Sequence, residues 1–457
     1  MASDSKPLIN LLRGWPAPAL LPTAQLQASS NAVLSDPTIS IPALQYGPDS
    51  GFPPLREELA KWLSHVFSVT PDPDRICITG GASQNLANVL QSFSDPKYTR
   101  SVWLAAPCYF LACPIFEDAG FAGRLKAVPE DHEGVDVEYL ARGLEAADKH
   151  SDDDEMPFKN PSQRKLYRHI IYVVPTSANP SGKTLPLSRR RALVALARAH
   201  NALIIADDVY DLLQWHTTPP VLDQPQTPHA LLSDLLLPRL CDIDLAMGPS
   251  PDDPGHFGYA MSNGSFSKIA GPGCRTGWVE ASPAFVHGVS QTGSTRSGGA
   301  PSQLCAAFLW DMLRSGTLQN HLEQTTVPAL QRRHALLSAA VREHLYPLGV
   351  TMLETSRPDK NVYGGYFVWL TLDSKYPARA VAERAREQEN LILGYGDLFE
   401  VYGDKTAADF GDKIRLCFSW EPEHVLVDGV KRFAHVLSTW DSHSESSTNA
   451  KSMGDWR

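Results

Sequence analysis

Short β-branched, apolar runs alternate along this chain with stretches of helical periodicity, and that alternation limits the fold more than any other feature. Residues 76–79 (Ile-Cys-Ile-Thr), 102–105 (Val-Trp-Leu-Ala), 170–174 and 203–206 (Leu-Ile-Ile-Ala) each have the length and composition of a buried strand. Before and between them, residues 55–67 set apolar side chains at helical spacing, 86–93 read as a helix, and 189–200 form a helix carrying four arginines. Such alternation predicts an α/β protein with a largely parallel sheet. Ligands in these sheets bind just beyond the carboxyl ends of the strands, where Gly80, Asn179 and Asp207 all fall.

The rest of the chain divides by texture. Residues 8–22, interrupted by Gly14, Pro16, Pro18 and Pro22, read as an extended arm. Beyond Ser302 a mainly helical stretch runs to about His344, and strands at 364–370 and 414–418 then form a second, smaller domain. Two segments look like insertions. Residues 146–165 are acidic, then polar, as in a solvated loop; residues 216–256 are rich in Pro and Asp, with an apolar piece at 231–237 that reads as a short helix. The polar stretch from Ser442 onward is expected to be disordered, and no internal repeat is visible.

Composition excludes several partners. At 457 residues, 43% hydrophobic and 20% charged, the chain can bury the core of an ordinary globular protein of two or more domains. A net charge of −10 lacks the basic footprint that nucleic acid demands. Seven scattered cysteines form no CxxC pair, so reduced, mostly buried thiols are expected and no metal site. The N-terminus has no apolar core of a signal peptide, no apolar run reaches membrane-spanning length, and the Gly-Asp-Trp-Arg ending is no targeting signal. A cytoplasmic location is the default.

Lys268 carries the chemistry. It follows Ser265 by three residues and precedes Arg275 by seven, and both neighbours can hold a phosphate. That is what a chain needs to tie pyridoxal phosphate to itself through a Schiff base. Asp207 closes an apolar strand, where a carboxylate can keep a pyridine nitrogen protonated; an exposed acidic turn is the other reading. Tyr210, three residues on, can bond the ring's phenolic oxygen; Asn179, before Pro180, can do the same or simply form a turn. Gly80-Gly81 between a strand and a helix turns backbone N–H groups toward an anion. Arg415 lies within an apolar strand, where an unpaired charge is expensive; it pairs either with a protein carboxylate or with that of a ligand. Tyr109 either stacks on an aromatic cofactor or packs in the core.

In chain order these pieces are Tyr46-Gly47, Gly81-Ala82-Ser83-Gln84, Pro107-Cys108-Tyr109, Asn179-Pro180-Ser181-Gly182, Asp207-Asp208-Val209-Tyr210, Ser265-Phe266-Ser267-Lys268 with Arg275, then Arg415. Over residues 8–437 the chain resembles the fold-type I pyridoxal-phosphate-dependent aminotransferases of class I/II. Ala43-Leu44-Gln45-Tyr46-Gly47-Pro48 and the Ser-Phe-Ser-Lys run most resemble the α-aminoadipate/kynurenine aminotransferase branch. The resemblance implies residues 1–54 as an arm and part of the small domain, 55–310 as the large cofactor-binding domain, 311–440 as the small C-terminal α/β domain, and 441–457 as a tail.

It also implies roles. Lys268 matches the Schiff-base lysine that shuttles the Cα proton, Asp207 the partner of the ring nitrogen, and Asn179 and Tyr210 the partners of the phenolic oxygen. Tyr109 matches the stacking aromatic, while Gly81, Ala82, Ser83, Ser265 and Arg275 match the phosphate cup. Arg415 matches the clamp on the substrate α-carboxylate, with Asn179 beside it and Gly14 over it. Tyr46 matches a tyrosine that reaches the phosphate of a neighbouring subunit, which implies a homodimer with shared active sites. Three departures stand out: Ala82 in place of a hydroxyl residue, the long segment between Tyr210 and Lys268, which makes residues 216–256 an expected accessory element near the site, and Gly394-Tyr395-Gly396-Asp397 in place of a Pro-Gly turn. Trp15 and Arg296 are further side chains that could meet a substrate, although packing or surface roles suit them as well.

The function these implications lead to is amino-group transfer between an α-amino acid and a 2-oxo acid by a ping-pong mechanism. The same constellation also serves elimination, replacement and C–C or C–N bond-forming reactions, because pocket shape decides which Cα bond breaks. A ligand-sensing regulator of this fold would carry a basic DNA-binding module, and the acidic chain does not fit one.

Overall fold

The computed structural model describes residues 6–149, 157–160, 164–217, 234–298, 301–357, 359–405 and 407–440. The tail expected from Ser442, residues 150–156, 161–163 and 218–233 of the two expected insertions, and with them part of the 231–237 piece, lie outside the described residues.

Eight strands form the larger sheet: β1 (Ile76–Thr79), β2 (Ser101–Ala106), β3 (Leu125–Asp131), β4 (Gly134–Val135), β5 (His169–Val173), β6 (Ala202–Asp207), β7 (Ala260–Ser265) and β8 (Gly277–Glu280). Their spatial order is β1-β8-β7-β6-β5-β2-β3-β4. The run from β7 through β6, β5 and β2 to β3 is parallel, whereas β8 runs against both β1 and β7. Every residue of β5 and β6 is buried, as expected of central parallel strands covered on both faces. The carboxyl ends of β1, β2, β5, β6 and β7 therefore meet along one edge.

Helices cover this sheet. α1 (Thr23–Ser35) and α2 (Pro37–Ala43) follow the N-terminal arm, and α3 (Pro53–Phe67) starts on a proline at its first position, where no N–H is needed. Leu55, Leu59, Leu63 and Val66 form the buried face of α3. Each such leucine stabilises the fold by roughly 1.5–3 kcal/mol through burial. α4 (Ala82–Phe93) begins four residues before the start expected from periodicity, because Gly81 at φ 98° turns β1 directly into it. Residues 146–149 end α5 (Val137–Lys149) instead of opening a solvated loop. Lys159, within the same expected loop, donates to the carbonyls of Gln91 (2.9 Å) and Ser94 (2.6 Å) at the end of α4.

α6 (Leu187–Ala199) and α7 (Leu240–Ala246) complete this part. Arg239, just before α7, bonds Asp242 (2.8 Å) and Glu280 (2.6 Å), and Arg75 bonds Asp242 at 3.1 Å. Burial alone would make these guanidiniums costly; the carboxylates beside them offset it.

A second, four-stranded antiparallel sheet joins β9 (Thr351–Met352), β10 (Phe367–Thr371), β11 (Gly394–Tyr395) and β12 (Lys413–Cys417) in the order β9-β10-β12-β11. α8 (Gln303–Arg314) packs against α1 and α3, while α9 (Val327–His344), α10 (Ala378–Glu389) and α11 (Glu423–Ser438) accompany the second sheet. The single strand expected over 364–370 is in fact two. Val362–Gly364 pairs with Gln214–His216, and β10 starts only at Phe367. Gly365, at φ 72°, makes the break; a Cβ there would press on Ser177 at 3.0 Å. The N-terminal arm is largely extended as expected: Ile9–Asn10 pairs with Leu391–Ile392, and Leu11 accepts from the Cys417 N–H at 2.7 Å.

Candidate active site

A cavity of about 990 Å³ opens where the arm and the second sheet face the carboxyl edge of the large sheet. Of the residues singled out from sequence, Gly14, Ala82, Ser83, Tyr109, Asn179 and Asp207 line it, as do Tyr210, Ser265, Lys268, Arg275 and Arg415. Gly81 sits directly behind Ala82 at the head of α4.

Lys268 ends a single turn of 3₁₀ helix (Phe266–Lys268) that begins where β7 stops. Ser265 caps the turn, accepting from the Ser267 N–H at 3.1 Å. The Lys268 amine donates to the Gly14 carbonyl at 2.8 Å, which fastens the arm over the site. Burial pushes this amine down to about 8, against the pull of Cys417 and Asp207, and Arg415 lowers it further. The neutral form is therefore a minority at neutral pH and becomes the major one as pH climbs past about 8.

Asp207 is the last residue of β6 and is buried. Burial pushes its carboxyl up to about 6, opposed by the Tyr172 hydroxyl and the charge of Lys268. Tyr172 donates to Oδ2 at 2.6 Å, whereas the buried Oδ1 has no hydrogen-bond partner. An orphaned carboxylate oxygen aimed at a cavity fits a cationic N–H such as that of a pyridinium ring.

The N-terminal turn of α4 offers unsatisfied backbone N–H groups to an anion. Asn263 on β7 donates to the Ala82 carbonyl at 3.0 Å and accepts from Asn85 at 2.8 Å, so the turn is tied to the strand that delivers Ser265. Arg275 lies close by, held by the carbonyls of Pro272 (2.8 Å) and Gly80 (2.9 Å). A Cβ at Gly81 would come within 2.8 Å of its guanidinium. These donors, the orphaned Oδ1 and the amine of Lys268 fit pyridoxal phosphate.

Arg415 projects from β12 with its guanidinium 4.0 Å from the Phe367 ring centre and 4.7 Å from that of Phe399. It donates to Asn179 Oδ1 (2.6 Å) and to the Leu12 carbonyl (2.5 Å), and Nε is buried without a partner. Among the described residues no carboxylate forms an ion pair with it. Burial accordingly lowers it to about 10.

Some expected residues are not brought together in one chain. Tyr46 is 86% exposed and lies outside the cavity, beside a separate 350 Å³ groove lined by α2, Gln303 and Trp310. Arg296 is exposed and does not line the cavity, while Trp15 does. None of the described residues of 216–256 lines it either, so their proximity to the site expected from sequence is not seen. Tyr172, Tyr366 and Asn263 went unnoticed in the sequence; each sits in an apolar or small-residue strand context without a motif of its own. The α10 face carrying Arg379, Glu383 and Arg386 also borders the cavity, and only its 3–4 residue spacing on a helix could have signalled it.

Comparison with known proteins gives this geometry a setting. The family model described as aminotransferase class I and II matches residues 22–426. An uncharacterized protein of Saccharomyces cerevisiae is 33% identical over 93% of this chain and 94% of its own. Aromatic-amino-acid aminotransferase 1 of Thermococcus litoralis is 26% identical over 95% of this chain and 89% of its own. Among solved structures, the α-aminoadipate aminotransferase LysN of Thermus thermophilus, complexed with N-(5′-phosphopyridoxyl)-L-leucine, superposes with a TM-score of 0.71. It covers 94% of this chain and 92% of its own at 24% identity, and so supports the fold-type I architecture.

Proposed function

The chain belongs to the class I and II aminotransferases and is a pyridoxal-phosphate-dependent transferase, and we propose that it moves an amino group between an α-amino acid and a 2-oxo acid by a ping-pong mechanism. One observation carries this reading. Two cations that form no ion pair with a carboxylate among the described residues, the Lys268 amine and the Arg415 guanidinium, face one cavity that also holds the orphaned oxygen of Asp207. That arrangement suits a ligand with a carboxylate at one end and a protonated ring nitrogen at the other.

Bound in the cavity, pyridoxal phosphate supplies an electron-withdrawing ring and a carbonyl carbon that takes up the amino group. Asp207 would hold the proton on the ring nitrogen, with Tyr172 fixing its carboxylate. Asn179 and Tyr210 would bond the phenolic oxygen, and Tyr109 would cover the ring. The first turn of α4, with Gly81, Ala82 and Ser83, would join Ser265 and Arg275 in holding the phosphate. Arg415 would grip the substrate α-carboxylate beside Asn179, under the backbone of Gly14. In its neutral form the Lys268 amine would take the proton from the substrate Cα and carry it within the site as the general base and acid. The departing 2-oxo acid leaves the amino group behind for a second oxo acid to collect by the reverse steps.

A homodimer is part of the proposal. Ile41, Leu44 and Tyr46 are 60%, 64% and 86% exposed on neighbouring positions of the α2 region, an apolar ridge that a second copy would bury. Tyr46 would then reach the neighbour's phosphate. All seven cysteines are free thiols, which suits the reducing cytoplasm, and no helix of the described residues is long and apolar enough to cross a membrane.

The test follows visible absorbance and product while candidate amino acids are added to the cofactor-loaded protein. Conversion of the cofactor band together with stoichiometric 2-oxo acid is expected, and Lys268→Ala should lose turnover by several orders of magnitude. A product other than an oxo acid, or an unaffected Lys268→Ala rate, overturns the reading.

A further inference from the structure

Lys268 is positioned from both of its ends by one side chain. Tyr366 is 1% exposed and enters from the second sheet, immediately after Gly365 turns the chain away from the Val362–Gly364 strand. Its hydroxyl donates to the Lys268 backbone carbonyl at 3.2 Å, and its ring centre lies 5.1 Å from the Lys268 amine. Nothing local serves that carbonyl, since the N–H groups of Ile269, Ala270 and Gly271 all turn to the oxygen of Phe266. The ring leans on Tyr210, with centroids 5.5 Å apart, and the Phe418 N–H holds the Tyr366 carbonyl at 3.0 Å. Tyr366 therefore has little freedom to leave.

Resting on the amino-transfer reading, we propose that Tyr366 is a positioning residue for Lys268: its hydroxyl fixes the backbone from which the amine swings, and its ring face steadies the amine in its charged form. The two halves are separable. A hydrogen bond to a carbonyl governs where the 3₁₀ turn places the side chain. A ring face within about 6 Å attracts a cation through its quadrupole. The other groups facing the amine are Asp207 from β6, Tyr210 beyond it, Cys417 and Arg415 from β12, and the Gly14 carbonyl from the arm. None of them touches the Lys268 carbonyl among the described hydrogen bonds. The arrangement links the two sheets at the point where the reacting amine is held. A side chain from the second sheet sets the attitude of a lysine carried by the first.

Two variants of the cofactor-loaded enzyme separate the halves. Tyr366→Phe keeps the ring and removes the hydroxyl; we expect kcat to fall about 2- to 10-fold, the loss of one ordinary hydrogen bond, with KM little changed. The pH midpoint of the bound cofactor's visible absorbance should stay within about 0.3 units, since the ring remains. Tyr366→Leu removes both groups. Its absorbance midpoint should move down by about 0.5–1 unit, because a support of the cationic form has gone. A residue that only fills space would lower Tm in both variants and leave midpoint and kcat where they were, and that result overturns the proposal. Wild-type enzyme run alongside keeps the two readings apart. If it fails to yield a 2-oxo acid, amino transfer fails; if it succeeds and the variants match it, only the role of Tyr366 fails.

Discussion

Asp207→Asn should make the cofactor-free protein more resistant to unfolding as pH rises, while impairing the enzyme. The carboxyl is buried at the end of β6 and is pushed up to about 6 from an unfolded value of 3.8. That gap of about two units corresponds to about 3 kcal/mol at 1.36 kcal/mol per unit. Because the folded state holds its proton more tightly than the unfolded state, the stability linked to this group is fully present below pH 3.8. It is lost as pH climbs through about 6. Part of that loss has already occurred at pH 5, so wild type should lose roughly 1–2 kcal/mol relative to Asp207→Asn between pH 5 and pH 7. The comparison cancels terms that do not depend on pH, including the altered bond from Tyr172. It also stays below the Lys268 midpoint near 8. Urea unfolding of both cofactor-free proteins at the two pH values measures the difference. Adding pyridoxal phosphate should then stabilise wild type more than the variant, since the ring nitrogen offers the partner that Oδ1 lacks. A stability difference that does not change with pH would falsify the claim that Asp207 is held ionised at a cost in the empty site.

Two further outcomes follow from the same geometry. Arg415→Ala should raise KM for amino and oxo acids by about 10²- to 10³-fold, the loss of a buried charge pair, as read by steady-state kinetics with substrates bearing and lacking an α-carboxylate. Because no carboxylate among the described residues balances Arg415, the same variant should unfold no more easily than wild type without ligand; a marked loss of stability would point to a structural ion pair instead. Lys268 titrating near 8 predicts that the rate at which cofactor-free protein captures pyridoxal phosphate rises with pH and levels off just above 8. Stopped-flow absorbance from pH 6.5 to 10 would show the plateau, and a rise continuing toward 10.5 would count against it.

What could be read from the chain and what could not separates along contact range. Asp207 and the Gly81 turn were legible because each lies at or just past a strand end, and a parallel sheet aligns strand ends whatever else the fold does, whereas Lys268 was legible from its spacing to Ser265 and Arg275. The start of α4 was missed by four residues, since periodicity sees the buried stripe from Leu86 onward and not the φ of 98° at Gly81 that launches the helix. The strand expected over 364–370 failed for a similar reason. Its apolar run is continuous, but Gly365 sends the two halves to different sheets.

Tyr172 and Tyr366 were illegible in a deeper sense. Each looks like an ordinary aromatic in an apolar run, and its value lies in a hydroxyl that meets a partner 35 or 98 residues away. Burial forces such hydroxyls to find acceptors, yet nothing local names which acceptor. The charge on Arg415 announced itself as a problem needing a partner; the two tyrosines solve problems belonging to other residues. Groups that carry chemistry are therefore visible through their cost, whereas groups that position them become visible only once the sheets are assembled. That asymmetry is why the Asp207 and Arg415 variants are expected to change what the site binds. The Tyr366 variants should instead change how readily a correctly bound ligand reacts.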